Sequence, residues 1–308
     1  MRPPQERFAR VGDVELCYET VGDPSGRPLL LVMGLATQML GWHEDFCDQL
    51  AERGFFVIRY DNRDIGRSTR LDDRRPPTTA EIVLRRPRDP AYTLRDMASD
   101  GAGLLEHLGI DSAHVAGASM GGMIAQTLAA EHPDRVRSLV SIMSTTGRAW
   151  VGRPALRSLP ILLTRAGGGR DAYIQRVERV AALVGSPGFE RDADHVRELA
   201  AVSYDRGVTA AGVARQMGAI LASGDRTATL RRIRVPTLVI HGTADRLVGV
   251  SGGRATARAI PGAKLTLIDG MGHDLPNGVW PRLLDAIEET ADRGDQARAR
   301  SESLAESK

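Results

Sequence analysis

The sequence predicts an α/β fold in which a mostly parallel, doubly wound sheet carries an inserted helical cap. Short continuous apolar runs, typical of buried parallel strands, alternate with helix-like patterns over most of the 308 residues. A repeated order of strand then helix builds a parallel sheet with helices on both faces. The alternation stops between about residues 145 and 234, where amphipathic helical patterns follow one another without a convincing strand. This interruption predicts the cap.

The strands of the core can be placed in chain order. Residues 14–22 alternate apolar and polar side chains, which predicts a half-exposed antiparallel strand. Buried parallel strands are predicted by five apolar runs: PLLLVMG, FFVIRYD, AHVAG, LVSIMS and PTLVIHG. One more strand is expected at the start of LTLIDGMGHDLP.

Helices are predicted between these strands. The patterns lie in DFCDQLAERG, which ends at Gly54, in TLRDMASDGAGLLEHLG, which ends at Gly109, and in residues 120–132, which end before Pro133. In the second of these, Thr93 and Asp96 have the spacing of a capping box. Each helix therefore has a plausible stop signal.

The domain organisation follows from the interruption. We expect residues 1–144 and 235–292 to form the core and residues 145–234 to form the cap, with helices around residues 153–164, 171–184, 193–205 and 209–222. The RAGGGR stretch at residues 165–170 follows a helix and lacks the lysine of a phosphate-binding loop, so a turn is expected there. Residues 293–308 are polar and non-periodic, which predicts a disordered tail.

Composition narrows the function classes. The 41 basic residues, all arginine except Lys264 and Lys308, are scattered among 39 acidic ones, so no basic stripe for nucleic acid is present. No apolar run approaches the roughly 20 residues that cross a bilayer, and the first residues lack the apolar stretch of a signal peptide. Cys17 and Cys47 fit two reduced thiols. We expect a cytoplasmic protein that acts on a small molecule.

The stretch VAGASMGGMIAQ, residues 115–126, predicts a nucleophile. A predicted strand leads into Gly117-Ala-Ser119-Met-Gly121, and a predicted helix follows, which is the context of a nucleophile elbow. Gly117 and Gly121 make room at a sharp turn, so that Ser119 points its hydroxyl above the sheet edge. The alternative is a glycine-rich turn with a capping serine.

A serine nucleophile needs a histidine base, and the histidine needs a carboxylate that fixes its tautomer. VPTLVIHGTADRLV supplies Asp245 just after an apolar strand, and LTLIDGMGHDLP supplies His273 after the next strand. Both positions are at carboxyl ends of strands, where open α/β sheets place their sites. Some hydrolases place the acid after the preceding strand, but SIMSTTG at that point carries no carboxylate. The predicted triad is therefore Ser119, Asp245 and His273.

Other histidines and carboxylates compete for these roles. His241 begins the turn before Asp245, and a structural role is expected for it. The remaining histidines are predicted on helices or at strand starts, where surface or packing roles are usual: His43, His107, His114, His132 and His195. Asp269 and Asp274 lie so close to His273 in sequence that they cannot easily turn back to meet its ring.

The oxyanion hole is predicted from two backbone N–H groups. The helix that begins at Met120 directs free N–H groups and the positive end of its dipole toward the serine. The second donor is expected from the loop after LLLVMG, where Gly34 allows close approach and the Leu35 N–H is the candidate. The alternative is that this loop only turns the chain.

The chain from about residue 11 to residue 290 resembles the α/β-hydrolase family. The resemblance is carried by GASMGG, YDNRDIGRST at residues 60–69, PTLVIHGTAD and GMGH. VMGLATQMLGWHEDF and RYDNRDIGRST are similar to the branch of bacterial esterases that includes aclacinomycin methylesterase. The resemblance implies an α/β-hydrolase fold and a carboxylic ester hydrolase with Ser119, Asp245 and His273 as its triad. Many relatives carry His-Gly in the oxyanion loop, where this sequence has Met33-Gly34.

The same triad residues are compatible with several functions. The main hypothesis is ester hydrolysis through an acyl-enzyme, which requires no metal or organic cofactor, and the sequence shows no HExxH or Cys/His cluster. Similar triads hydrolyse carbon–carbon bonds, open lactones or act as cofactor-free haloperoxidases. A non-catalytic binding protein is the alternative from another class. Enzymes with an aspartate nucleophile are disfavoured because the elbow residue is Ser119.

Two further expectations concern the surroundings of the site. Asp61, Arg63 and Asp64 are expected to hold their loop through local ion pairs rather than to act in catalysis. The cap is expected to form a mainly apolar pocket that favours uncharged or aromatic esters. Its candidate lining residues are Leu156, Leu159, Ile161, Leu162, Tyr173, Val177, Met217 and Ile220.

Overall fold

A computed structural model of the chain describes residues 4–155 and 168–306 and shows one eight-stranded sheet. The strands are β1 (Arg7–Val11), β2 (Val14–Val21), β3 (Arg27–Val32), β4 (Phe55–Tyr60), β5 (Ala113–Ala118), β6 (Val136–Ile142), β7 (Thr237–Gly242) and β8 (Lys264–Ile268). Their order in the sheet is β1-β2-β4-β3-β5-β6-β7-β8. The pairs β1–β2 and β2–β4 are antiparallel, and all the others are parallel. The mostly parallel sheet predicted from the sequence is confirmed.

Helices connect the parallel strands on both faces of the sheet. They are α1 (Glu44–Glu52), α2 (Thr79–Val83), α3 (Leu94–His107), α4 (Met120–Glu131), α5 (Arg170–Val184), α6 (Ala193–Arg206), α7 (Ala210–Ser223), α8 (Thr227–Leu230), α9 (Ser251–Ala259) and α10 (Trp280–Glu306). The capping box of Thr93 and Asp96 at the start of α3 is confirmed. Strand β1 and helices α2, α8, α9 and α10 were not predicted. Within the described ranges, no helix combines the length and the apolar character that would let it span a bilayer.

The sheet separates two apolar layers. Because successive side chains of a strand point to opposite faces, Leu30 of β3 packs with α3 and α4 whereas Leu31 packs with α1 and α10. Both side chains are fully buried. The continuous apolar runs of the sequence follow from this arrangement, since each central strand is covered on both sides.

The segment between β6 and β7 contains residues 145–234, which the sequence predicts as the cap, and we use that name for these residues. Its described part holds α5, α6, α7 and α8, within a residue or two of the predicted bounds for the first three, and contains no strand. The predicted helix at residues 153–164 lies outside the described residues from residue 156 onward, as do residues 165–167 of RAGGGR. Leu230 of α8 packs into the core cluster with α4, so the last helix of the cap also anchors it.

The expectation of a disordered tail from residue 293 was wrong, because α10 continues to Glu306. Asp295 forms an ion pair with Arg27 at 3.0 Å, and Arg298 forms one with Glu302 at 2.8 Å, one helical turn away. The earlier turns of α10 are buried against the sheet, with Ile287 and Ala291 almost fully enclosed. A polar segment therefore stays helical because it extends a helix that the core already holds, since adding residues to an existing helix is easier than starting one.

Candidate active site

Ser119 lies at a strained turn between β5 and α4. Its backbone has φ of +57° and ψ of −118°, a conformation that a serine adopts only where the surroundings enforce it. A Cβ on Gly117 would overlap the backbone of Gly121, and a Cβ on Gly121 would overlap the carbonyl of Val32. The Ser119 N–H donates to Ile142 O on the neighbouring strand at 2.9 Å. The two glycines are thus required for the turn that exposes the serine hydroxyl.

The structure brings the three predicted side chains into one hydrogen-bonded chain. His273 Nε2 lies 2.9 Å from Ser119 Oγ, and His273 Nδ1 lies 2.7 Å from Asp245 Oδ2. Asp245 follows β7 and His273 follows β8, so both come from the carboxyl edge of the sheet that also carries the serine. The side chain of Asp245 is fully buried and that of His273 is 8% exposed. This geometry allows the ring to take a proton from the hydroxyl while the carboxylate stabilises the charged ring.

The surroundings of Asp245 keep it ionised. Burial would raise the pKa of Asp245, but the charge of His273 and hydrogen bonds from His241, His273 and the Val248 N–H hold it well below its ordinary value. The N–H groups of Leu247 and Val248 donate to Oδ1 at 2.9 and 2.8 Å. The carboxylate is therefore charged over the whole range in which the enzyme is expected to work.

The competing groups have other partners. His241 is buried, its Nε2 lies 2.7 Å from Val248 O, and it is 3.4 Å from Asp245 Oδ2, so it supports the acid. Asp269 accepts a hydrogen bond from the Thr243 hydroxyl at 2.8 Å. The other histidines are engaged away from the serine: His43 packs on His195, His107 on Tyr18, His114 meets Ser138, and His132 meets Ser99. Of the seven histidines, all of which lie in the described ranges, only His273 contacts Ser119.

The histidine loop is held by the cap. The N–H of His273 donates to Val184 O at 2.7 Å, and the N–H of Gly272 donates to Ser186 Oγ at 2.8 Å. The Ser186 hydroxyl in turn donates to Asp274. Sequence reasoning missed these contacts, because nothing in the residues around Ser186 marks it as a partner of the histidine loop.

The two predicted oxyanion donors face the serine from different elements. Met120 is the first residue of α4, and Leu35 follows Gly34 in the loop after β3. A Cβ built on Gly34 would lie 3.1 Å from Ala118 O and from the Cβ of Ser119, so the loop passes directly over the elbow. In the part of the chain that the structure describes, neither N–H is paired with a backbone or side-chain acceptor. Both are available to a bound oxyanion.

The charged loop after β4 fastens the cap to the core, and the expectation of local ion pairs was wrong. Asp61 pairs with Arg206 of α6 at 2.5 Å, and Asp64 pairs with Arg215 of α7 at 2.7 Å. All four side chains are buried. Arg63 pairs with Asp100 of α3 at 2.6 Å. The arginine and aspartate partners of these three residues are far away in the sequence. The loop sequence alone therefore suggested ion pairs between neighbouring residues instead.

The described part of the predicted pocket consists of half-buried side chains. Leu156, Leu159, Ile161 and Leu162 lie outside the described residues. Tyr173 of α5 packs on Tyr204 of α6 with ring centroids 5.7 Å apart. Ile220 of α7 packs against the same core cluster as Leu35. An apolar pocket remains a prediction.

Comparison with known proteins places the chain in a family. Residues 27–276 match the model of the α/β hydrolase fold. The chain is 31% identical to rhodomycin D methylesterase of Streptomyces peucetius, over 89% of this chain and 94% of that protein. It is 30% identical to rhodomycin D methylesterase of Streptomyces sp. strain C5, over 91% and 96%. The crystal structure of the enol-lactonase from Burkholderia xenovorans LB400 superimposes with a TM-score of 0.69 and 24% identity, over 92% of this chain and 99% of that one. The chain therefore belongs to the α/β-hydrolase family.

Proposed function

We propose that the protein hydrolyses carboxylic esters with Ser119 as nucleophile, His273 as general base and acid, and Asp245 as the carboxylate that orients the histidine. One observation carries the proposal: the continuous hydrogen-bonded chain from Ser119 Oγ through His273 to Asp245, with distances of 2.9 and 2.7 Å. Its location on a strained elbow between two glycines supports the same assignment. The likeness to two methylesterases supports the reaction class.

The proposed reaction has two steps. His273 Nε2 takes the proton of Ser119 Oγ as the oxygen attacks the ester carbonyl, and the N–H groups of Leu35 and Met120 hold the resulting oxyanion. The tetrahedral intermediate collapses, His273 gives its proton to the leaving alcohol, and the acyl group remains on Ser119. A water then attacks the acyl-enzyme while His273 takes its proton, and collapse of the second intermediate releases the acid. Asp245 stays ionised in both steps because of its lowered pKa.

Covalent labelling tests the nucleophile directly. A fluorophosphonate is expected to add once per chain, on Ser119, because only an activated serine reacts with it. Ser119→Ala should abolish labelling and turnover and leave the fold intact, because removing a partly exposed hydroxyl opens no cavity. Mass spectrometry of the labelled peptide decides between outcomes. An adduct on another serine, or full turnover by folded Ser119→Ala protein, would contradict the assignment.

We infer that the substrate is a largely uncharged ester, and that the alcohol released is small. The relatives with the highest identity given above are named as methylesterases, and the described cap helices present Tyr173, Val177, Met217 and Ile220 as half-buried apolar side chains. Apolar walls favour uncharged substrates because desolvating a charge is costly. Equal kcat/KM for a charged and an apolar ester of matched size would contradict this inference.

A panel of substrates separates ester hydrolysis from its alternatives. The panel contains p-nitrophenyl and methyl esters of graded acyl length, a lactone, a ring-fission dienoate, and a peracid assay. We expect the highest kcat/KM for an ester. A higher value for the lactone or for the dienoate would assign the protein to that reaction, and peracid formation in excess of hydrolysis would assign it to the haloperoxidase type. No turnover on any of them would favour a binding protein.

We further propose a cytoplasmic location and a small molecule as the only partner of this site. The two cysteines, Cys17 and Cys47, are buried and free, as is usual in a reducing compartment. Several arginines of the cap, among them Arg206 and Arg215, pair with carboxylates, which argues against a basic stripe for a nucleic acid. Retention of the protein on heparin at physiological salt would contradict the proposal that it does not bind nucleic acid.

A further inference from the structure

The oxyanion loop, defined here as residues 33–37, contains a backbone conformation that its sequence does not favour. Ala36 has φ of +59°, within a turn that is closed by a hydrogen bond from Thr37 N–H to Gly34 O at 3.3 Å. Positive φ at the third residue is the mark of a type II turn, and glycine usually occupies that position. An alanine there is strained and keeps the conformation only if its surroundings hold it.

The peptide group between Leu35 and Ala36 is held at both ends. The Leu35 carbonyl accepts a hydrogen bond from the Thr37 hydroxyl at 3.2 Å, and the Ala36 N–H donates to Gln216 Oε1 at 3.0 Å. Rotation of this peptide would relieve the strain at Ala36 but would break both bonds. One of the two restraints therefore comes from α7 in the cap rather than from the loop.

Gln216 is itself fixed. It is fully buried, and its Nε2 donates to Arg63 O at 2.9 Å. That bond sets the orientation of the amide, because the reverse orientation would place the two carbonyl oxygens and the two N–H groups against each other. The neighbouring Arg215 holds the helix through its buried ion pair with Asp64. Gln216 thus presents a rigid acceptor to the oxyanion loop.

We propose that Gln216 is a positioning residue of the oxyanion hole. By holding the Ala36 N–H it fixes the turn that directs the adjacent Leu35 N–H toward the developing oxyanion. The inference rests on the proposed function, in which Leu35 and Met120 are the donors. An oxyanion donor stabilises the transition state only when it is directed at the tetrahedral oxygen, so a loosened loop costs kcat and leaves KM nearly unchanged.

The test compares Gln216→Met with Gln38→Met. Gln38 is a buried glutamine just beyond the oxyanion loop, and its Nε2 donates to Ser203 O of α6 at 2.7 Å, so the same substitution there disturbs the same interface without freeing Ala36. We expect Gln216→Met to lower kcat about 10- to 100-fold and to change KM less than about 3-fold. The inhibition constant of a trifluoromethyl ketone, which forms a tetrahedral oxyanion on Ser119, should rise by the same factor as kcat/KM falls. Gln38→Met should change kcat and the inhibition constant much less.

A second variant restores the contact. A protonated glutamate offers the same acceptor and donor as glutamine, whereas an ionised one cannot donate to Arg63 O. The kcat of Gln216→Glu, expressed as a fraction of the wild-type value at each pH, should be highest at low pH and should fall as the pH rises. This measurement stands even if thermal unfolding shows that Gln216→Met does not fold.

Four results would overturn the proposal: an unaffected Gln216→Met, equal losses in Gln216→Met and Gln38→Met, a loss confined to KM, or a Gln216→Glu fraction that does not change with pH. Failure of the proposed function gives a different result. Wild-type protein that fluorophosphonate does not label at Ser119 would contradict that function. If the wild-type protein is labelled and active and Gln216→Met has unchanged kcat, only the role of Gln216 is contradicted.

Discussion

The serine elbow and the two loops that face it are held in different ways. The elbow is fixed within the core, by the bond from Ser119 N–H to Ile142 O and by the close packing of Gly121 against β3. The histidine loop and the oxyanion loop are tied to the cap, through Val184 O and Gln216 respectively. The nucleophile therefore depends on the sheet, whereas its base and one oxyanion donor depend on how the cap is docked.

This difference predicts two kinds of effect for substitutions near the site. A change in the glycine packing of the core elbow should cost stability and activity together, because the same packing serves both. A change at the cap contacts of the two loops, such as Ser186 or Gln216, should cost activity with less effect on stability, because the sheet keeps its own hydrogen bonds. The buried ion pairs that dock the cap should contribute to stability. Each prediction below tests one side of this division.

The largest effect is expected for His273→Ala, which removes the catalytic group of the cap-held loop. The kcat should fall by about 10⁶-fold, because the members of a serine triad act as a unit. Adding Ser119→Ala should cause almost no further loss. Steady-state kinetics of the single and double variants measure this, and additive losses would show that the two residues act independently.

Arg206→Met tests the docking of the cap. It leaves Asp61 buried and unpaired, which should lower the free energy of unfolding by about 3–5 kcal/mol. Combining it with Asp61→Asn should recover part of the loss, because the buried charge at residue 61 is then removed as well. Denaturant unfolding of the three variants provides the values, and a loss below about 1 kcal/mol in the single variant would argue against the pair as an anchor.

Gly121→Ala tests the elbow. The new methyl group would overlap the Val32 carbonyl, so we expect a loss of at least about 3 kcal/mol in the free energy of unfolding, together with a loss of activity. Gly169→Ala is the matched control, since its φ is −73° and nothing lies within 4 Å of the new Cβ. Its effect should stay within about 1 kcal/mol. A stable, active Gly121→Ala protein would be incompatible with the packing described here.

A pH-dependent contribution is expected from the core strand that leads into the elbow. Burial, assisted by Arg27 and Arg137, lowers the pKa of His114 to about 4 in spite of the nearby Asp295. In the unfolded chain a histidine takes up its proton near pH 6.5. The unfolded state therefore binds more protons between about pH 6.5 and 4, and the free energy of unfolding should decrease by on the order of 1–3 kcal/mol as the pH falls through this window.

His114→Gln should flatten this dependence, because glutamine does not titrate. Thermal unfolding between pH 4 and 7 gives the comparison. An identical acid sensitivity in the variant would assign the loss of stability to other groups.

The smallest effect is expected for Ser186→Ala, which removes the cap hydroxyl that binds the Gly272 N–H. We expect about a 10-fold loss of kcat, because the histidine loop loses the bonds between the Ser186 hydroxyl and Gly272 and Asp274, and the ring becomes less well positioned. Ser68→Ala is the control, a buried serine that bridges the Cys17 N–H and Asp61 O in the core. Ser68→Ala should lower the free energy of unfolding and leave kcat nearly unchanged. A similar loss of kcat in both variants would contradict a specific role of Ser186 in positioning the histidine loop.

The elbow could be predicted from the sequence because its determinants are contiguous. Strand, glycines, serine and helix all lie within VAGASMGGMIAQ, and the positions of Asp245 and His273 follow from the order of strands. The cap contacts could not be predicted, because Gln216 is 180 residues from Ala36, and Ser186 is 86 residues from Gly272. An isolated glutamine or serine on an amphipathic helix carries no sign of a distant partner. The tail was mispredicted for a related reason, since its helix depends on residues that precede it.

Helix α10 also bears on how the protein is made. It packs along β5, β6 and β7 in the middle of the sheet, yet it is the last described element to be synthesised. Until it leaves the ribosome, the apolar face formed by Leu31, Val140 and their neighbours is covered on that side only in part, by α1. A nascent chain that stalls before residue 280 would present part of this face to chaperones or to other chains, so completion of the core awaits the synthesis of α10.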